Sequence, residues 1–133
     1  MWTYEQSSGQ MSRNGTRLAK GYSGAPGAVN DPNKQDQKGI GPIPQGKYSI
    51  GAPENTSGHG PYVLPLWPDP ANQMFGRSGM LIHGDEVEHP GLQLASHGCV
   101  ILPFTARTFI WGSGDHDLEV VSGLREGDAP AGA

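Results

Sequence analysis

Residues 80–102 read Met-Leu-Ile-His-Gly-Asp-Glu-Val-Glu-His-Pro-Gly-Leu-Gln-Leu-Ala-Ser-His-Gly-Cys-Val-Ile-Leu. Two short apolar runs stand out: Met80 to Ile82, ending at His83-Gly84, and Val100 to Leu102, beginning after Ser96-His97-Gly98-Cys99. Runs this short, bounded by glycine turns, predict buried strands rather than helices. Two such strands deliver an imidazole and the chain's single thiol to one place.

A thiol is a strong nucleophile only as thiolate, and a nearby imidazole is the usual means of making it one near neutral pH. Against this stands the plain alternative that a lone cysteine is a small buried hydrophobe. The flanks favour chemistry. Gly98 permits an unusual φ directly before Cys99, and successive amides in such a turn point at one spot, as an oxyanion site requires. Between His83 and His97 as the base, the residues alone do not choose.

Working outward, 133 residues make one domain, taken as 1–123, with a Gly-, Ala- and Pro-rich segment at 124–133 that reads as a flexible tail. The 21 glycines and 12 prolines argue for many turns, and the 35% hydrophobic content argues against disorder. The expected fold class is mainly β, a sandwich or barrel with one short helix and long Gly/Pro-rich loops. A net charge of −4 gives no basis for nucleic-acid binding. No apolar run is long enough to span a bilayer, and Met-Trp-Thr-Tyr-Glu-Gln lacks the features of a secretory signal, so export by the general pathway is not expected. One cysteine rules out an internal disulfide.

Along the chain, a three-strand meander is predicted at 2–6, 10–13 and 16–22, with Asn14-Gly15 as a hairpin turn. Residues 23–46 read as a long loop, with Lys34, Asp36 and Lys38 on a solvated face. Strands follow at 47–50 and 61–67, the second confined by its prolines to an edge or an end. His59, at a glycine-flanked loop tip, reads as an exposed histidine without a special role. Arg77 reads equally as a bidentate clamp for a substrate carboxylate or as the partner of a structural acid. Pro103 opens a helix whose Phe104, Thr108, Ile110 and Trp111 form a core-packing stripe, and 118–121 is a last strand.

Ile82-His83-Gly84 followed by Ser96-His97-Gly98-Cys99-Val100 resembles the signature of the L,D-transpeptidases, cysteine enzymes that remodel bacterial peptidoglycan. Strings at 2–7 (Trp-Thr-Tyr-Glu-Gln-Ser), 21–24 (Gly-Tyr-Ser-Gly), 41–48 (Gly-Pro-Ile-Pro-Gln-Gly-Lys-Tyr), 60–64 (Gly-Pro-Tyr-Val-Leu) and 74–79 (Met-Phe-Gly-Arg-Ser-Gly) are similar to the branch that includes effectors of type VI secretion. Ile101 stands where housekeeping members commonly carry Arg or Asn, and the gap from His83 to Ser96 is short for them; both point to the effector branch.

The resemblance implies Cys99 as nucleophile, His83 as base, the backbone carbonyl of Ser96 orienting the imidazole, and the Gly98 amide holding the oxyanion. His97, Arg77, Gly84 and Asp85 are the implied substrate contacts. The implied reaction is attack on the meso-diaminopimelate–D-Ala bond of a tetrapeptide stem, giving L,D-carboxypeptidase action or D-amino-acid exchange through an acyl-enzyme, without a cofactor. The implied partners are the peptidoglycan stem peptide, a cognate immunity protein and a carrier of the secretion machinery, with neither nucleic acid nor membrane. The implied destination is the periplasm of target bacteria. Two other readings stand beside it: a zinc hydrolase with ligands drawn from His83, Asp85, His89, His97 and Cys99, though no compact zinc spacing is present, and a non-catalytic wall-binding domain with Cys99 merely buried.

Overall fold

The computed structural model describes residues 1–85 and 95–123; His89 and the expected tail at 124–133 lie outside them. Strands β1 (Trp2–Glu5), β2 (Gln10–Arg13) and β3 (Thr16–Lys20) form the expected meander. Asn14 and Gly15 turn its second hairpin with φ of 52° and 82°, the left-handed pair that a tight two-residue turn demands.

The third predicted strand breaks at Gly21, and β4 (Tyr22–Ser23) starts beyond it in a different pairing. The reason is steric. A Cβ on Gly21 would stand 1.7 Å from the Ile101 carbonyl oxygen, so only glycine lets the chain pass this close to another backbone.

The remaining elements are a 3-10 turn (Pro32–Lys34) within the long loop, β5 (Gly46–Ile50), β6 (Glu54–Thr56), β7 (Gly60–Pro68), β8 (Leu81–His83), β9 (Val100–Ile101), helix α1 (Phe104–Gly112) and β10 (Asp117–Val121). The sheet order is β3-β2-β1-β10-β5-β7-β8-β9-β4, with β6 pairing β7 off this path. The fold is mainly β, an open mixed sheet with parallel pairs β1/β10 and β8/β9. Its two terminal strands, β3 and β4, are consecutive in the chain and joined by Gly21 alone.

Two expectations need correction. β7 is an interior strand, paired with β8 on one side and with β6 and then β5 on the other. Pro65 falls at the changeover, where Gly51, between β5 and β6, donates to its carbonyl at 2.7 Å; Leu66 N turns the other way, to the Met80 carbonyl, so the missing N–H takes nothing from the ladder with β8. Helix α1 buries Ala106, Arg107 and Ile110, whereas Phe104 and Phe109 are more than half exposed. The core-packing stripe therefore reduces to Ile110, with Trp111 partly covered beside it.

Alternation along β7 fixes which face is which. Leu64 and Leu66 enter the core with Ile82 and Val100, so Val63, Pro65 and Trp67 point to the opposite, outer face. His83 and Ile101, paired across β8 and β9, lie on that outer face too.

Candidate active site

The outer face carries a groove of about 970 Å³ lined by Tyr22, His59, His83, Asp85, His97 and Arg107, among others. Its floor comes directly from the register: His83 sits opposite Ile101, and Ile101 opposite Tyr22. Carried back one residue, the same register sets Cys99 beside Leu81, on the same face as His83 and two residues along. That spacing corresponds to roughly 8 Å between the two Cα atoms. Cys99 is outside the groove lining and next to it on the face; its Sγ lies 3.8 Å from the Gly79 carbonyl.

His83 is buried, and its Nδ1 lies 2.9 Å from the Gly84 carbonyl oxygen. A carbonyl can only accept, so Nδ1 carries the proton and Nε2 keeps its lone pair. Nε2 is buried and has no hydrogen-bond partner among the described residues. Burial is the largest influence on His83 and lowers its pKa; the Gly84 hydrogen bond and Asp85 oppose this, while the charges of His59 and Arg107 add to it. Burial likewise pushes the Cys99 thiol up, with the Leu81 backbone N–H and the Arg77 charge pulling it partly back. Both shifts favour the neutral forms, thiol and imidazole, over an ion pair.

The turn before Cys99 is built by Ser96, and not in the way expected. The imidazole is oriented by Gly84, so the Ser96 carbonyl does not have that task. Instead the buried Ser96 hydroxyl accepts from Gly24 N at 2.9 Å and Gly98 N at 3.1 Å, and donates to the Cys99 carbonyl at 2.6 Å. This commits the Gly98 amide, the expected oxyanion donor, to Ser96. The Cys99 amide has no acceptor among the described residues. Ser23 reinforces the turn, its hydroxyl donating to the Gly98 carbonyl at 3.0 Å and accepting from Ile43 N at 2.8 Å.

Among the described residues Arg77 forms no ion pair, and its guanidinium is committed to backbone carbonyls rather than free to clamp a carboxylate. It is buried and donates to the carbonyls of Gln35, Gly41, Pro42 and His97 at 2.6 to 3.3 Å. Those bonds tie the long loop to the cysteine turn, and the guanidinium passes so close to Gly98 (φ 140°) that a Cβ there would lie 2.3 Å from Nη2. Gly98 is thus required by what packs on it.

The remaining expected contacts divide. Asp85 accepts from the Tyr22 hydroxyl at 2.7 Å, and the same hydroxyl accepts from Ala95 N at 3.0 Å, pinning the two ends of segment 86–94. Gly84 supplies the carbonyl to His83. His97 is exposed on the groove, with Nδ1 3.3 Å from the Gly39 carbonyl. Among the described residues, no three His, Cys, Asp or Glu side chains are grouped to hold a metal ion.

Two residues beside His83 were given no role by the sequence. The His59 ring lies over His83, centroids 4.5 Å apart and planes tilted by 36°. Arg107, buried on α1, donates to the carbonyls of Pro61, Tyr62 and Leu102 and braces the ends of β7 and β9 beside His83. A glycine-flanked hairpin tip was the only signal for the first, and for the second a lone cation on a helix face otherwise apolar.

Comparison with known families settles membership, since the Tlde1 domain profile matches residues 17–116. The chain belongs to the Tlde1 domain family. Members of the Tlde1 family are type VI secretion L,D-transpeptidase effectors, so this is a peptidoglycan-modifying effector domain. The Tlde1 match runs from β3 to the residue before β10 and contains every site residue described above. No match was found among curated proteins or solved structures.

Proposed function

We propose that this Tlde1 domain cleaves the meso-diaminopimelate–D-Ala bond of tetrapeptide stems through a Cys99 acyl-enzyme, releasing D-alanine to water or exchanging it for another D-amino acid. The observation that carries this reading is His83: Nδ1 is tied to the Gly84 carbonyl, and Nε2 is left basic, buried and, among the described residues, unpartnered on the face that Cys99 shares. The fixed tautomer is what a general base to a thiol requires.

In this mechanism His83 Nε2 takes the Sγ proton as sulfur attacks the carbonyl carbon of the third residue. The oxyanion is met by the Cys99 amide, since Gly98's is spent on Ser96. Collapse breaks the C–N bond, and His83 returns the proton to the departing D-alanine amine, leaving a thioester. Water or a D-amino acid amine then attacks the thioester, with His83 again accepting the proton; the C–S bond breaks and the departing Cys99 sulfur takes that proton back. Delivery to the periplasm of rival bacteria by a type VI carrier, and neutralisation by a cognate immunity protein, belong to the same proposal.

The test is incubation with a disaccharide tetrapeptide and mass analysis of the products. Loss of one alanine, or its replacement by added D-methionine, is expected. Cys99→Ala should abolish both and His83→Ala should slow them about 10²- to 10⁴-fold. Full activity in Cys99→Ala, or sensitivity to chelator with indifference to iodoacetamide, would overturn it.

A further inference from the structure

Trp67 is the most exposed large hydrophobic side chain among the described residues, at 61%. It is nevertheless held. Its indole lies over Gly51, where a Cβ would stand 2.8 Å from Nε1 and 3.1 Å from Cγ of Pro65. Lys47, Ser49, Asp69 and Asp117 surround it in a shallow pocket of about 390 Å³. Nε1 has no hydrogen-bond acceptor among the described residues. A seated indole ringed by an amine, a hydroxyl and carboxylates offers a flat apolar platform with donors and acceptors at its rim. The flat C–H face and equatorial hydroxyls of a pyranose ring fit that combination.

Position adds a second argument. Trp67 shares the outer sheet face with Cys99, on the side away from the His83 groove. Two strands across and one two-residue step along, it lies roughly 12 Å from Cys99 by strand spacings. Gly79 stands between them: its carbonyl contacts Cys99 Sγ at 3.8 Å, it carries no side chain of its own, and the space where a Cβ would stand is open to 4 Å. A stem whose third residue is attacked at Cys99 carries three residues back to its sugar, about 10 Å when extended.

We infer that Trp67, with Lys47, Ser49, Asp69 and Asp117, forms a saccharide subsite that holds the glycan end of the donor stem. This rests on the reaction proposed above. It makes the substrate a glycan-linked stem, with the peptide running from Trp67 past Gly79 to Cys99.

Two measurements test it. In the Cys99→Ala protein, an N-acetylglucosamine tetramer should shift the Trp67 indole N–H resonance, with Trp67→Phe weakening and Trp67→Ala abolishing sugar binding. In the active protein, kcat/KM for the disaccharide tetrapeptide relative to the sugar-free tetrapeptide should fall about ten-fold in Trp67→Ala. An indole resonance unmoved by the sugar, or an unaltered ratio, overturns the subsite. If the wild type turns over neither stem, the catalytic reading fails and the resonance measurement decides the saccharide site alone.

Discussion

His83 is surrounded by charge of both signs, and this sets how activity follows pH. His59 lies against its ring, Arg107 approaches from α1, and Asp85 stands two residues on along its own chain. Because a base must be neutral to act, kcat/KM falls as pH drops through the His83 pKa, which burial holds below the ordinary imidazole value of about 6.5. Removing a neighbouring positive charge makes His83 easier to protonate, so His59→Phe, which keeps an aromatic ring, should move the acid limb to higher pH. Asp85→Asn removes an anion that favours the imidazolium and should move it to lower pH. Profiles that shift in the same direction, or not at all, would show that these neighbours do not act through His83. That His83 and Cys99 come from neighbouring strands and share a face was legible in the sequence, because apolar runs and glycines mark both. The partners that orient them were not: Gly84 in place of the Ser96 carbonyl, and His59 and Arg107 beside them, depend on how a loop and a helix settle.

At the scale of elements, the turn before Cys99 is held by the side chains of Ser96, Ser23 and Arg77. Ser96→Ala would strip partners from Gly24 N, Gly98 N and the Cys99 carbonyl, costing about 2 kcal/mol or more. Arg77→Met would leave four backbone carbonyls without their donor, costing at least about 3 kcal/mol. Urea denaturation of both variants measures these losses, and a shift in midpoint of less than half the expected size would mean that water replaces the lost partners. Strands bearing β-branched or aromatic residues were readable, as was the Asn14-Gly15 turn. β6 was not, since Glu54-Asn55-Thr56 has no apolar face to announce it and pairs only because β7 lies alongside. The helix was placed correctly, but its buried face was misjudged, because Arg107 satisfies its charge on carbonyls of other elements while Phe104 stays at the rim of the groove.

For the whole molecule, the ladder from β3 round to β4 depends on a single glycine. Gly21→Ala would force a Cβ to within 1.7 Å of the Ile101 oxygen, against rigid backbone, and should cost about 3 kcal/mol or more. Gly15→Ala is the contrasting case: no atom lies within 4 Å of its Cβ position, and only its left-handed φ is strained, for about 1 kcal/mol. Equal losses in thermal unfolding would remove the steric argument. That the fold is mainly β follows from composition and strand patterns, but strand order did not, because β10 enters between β1 and β5 through pairings that no local signal records. This insertion has a consequence in time. β10, the last described strand to leave the ribosome, is the only link between the meander and the half that carries Cys99 in the ladder, apart from the Gly21 joint. A nascent chain short of residue 121 therefore lacks the seam that unites the two halves, and Cys99 leaves the ribosome before the sheet that frames it can close up.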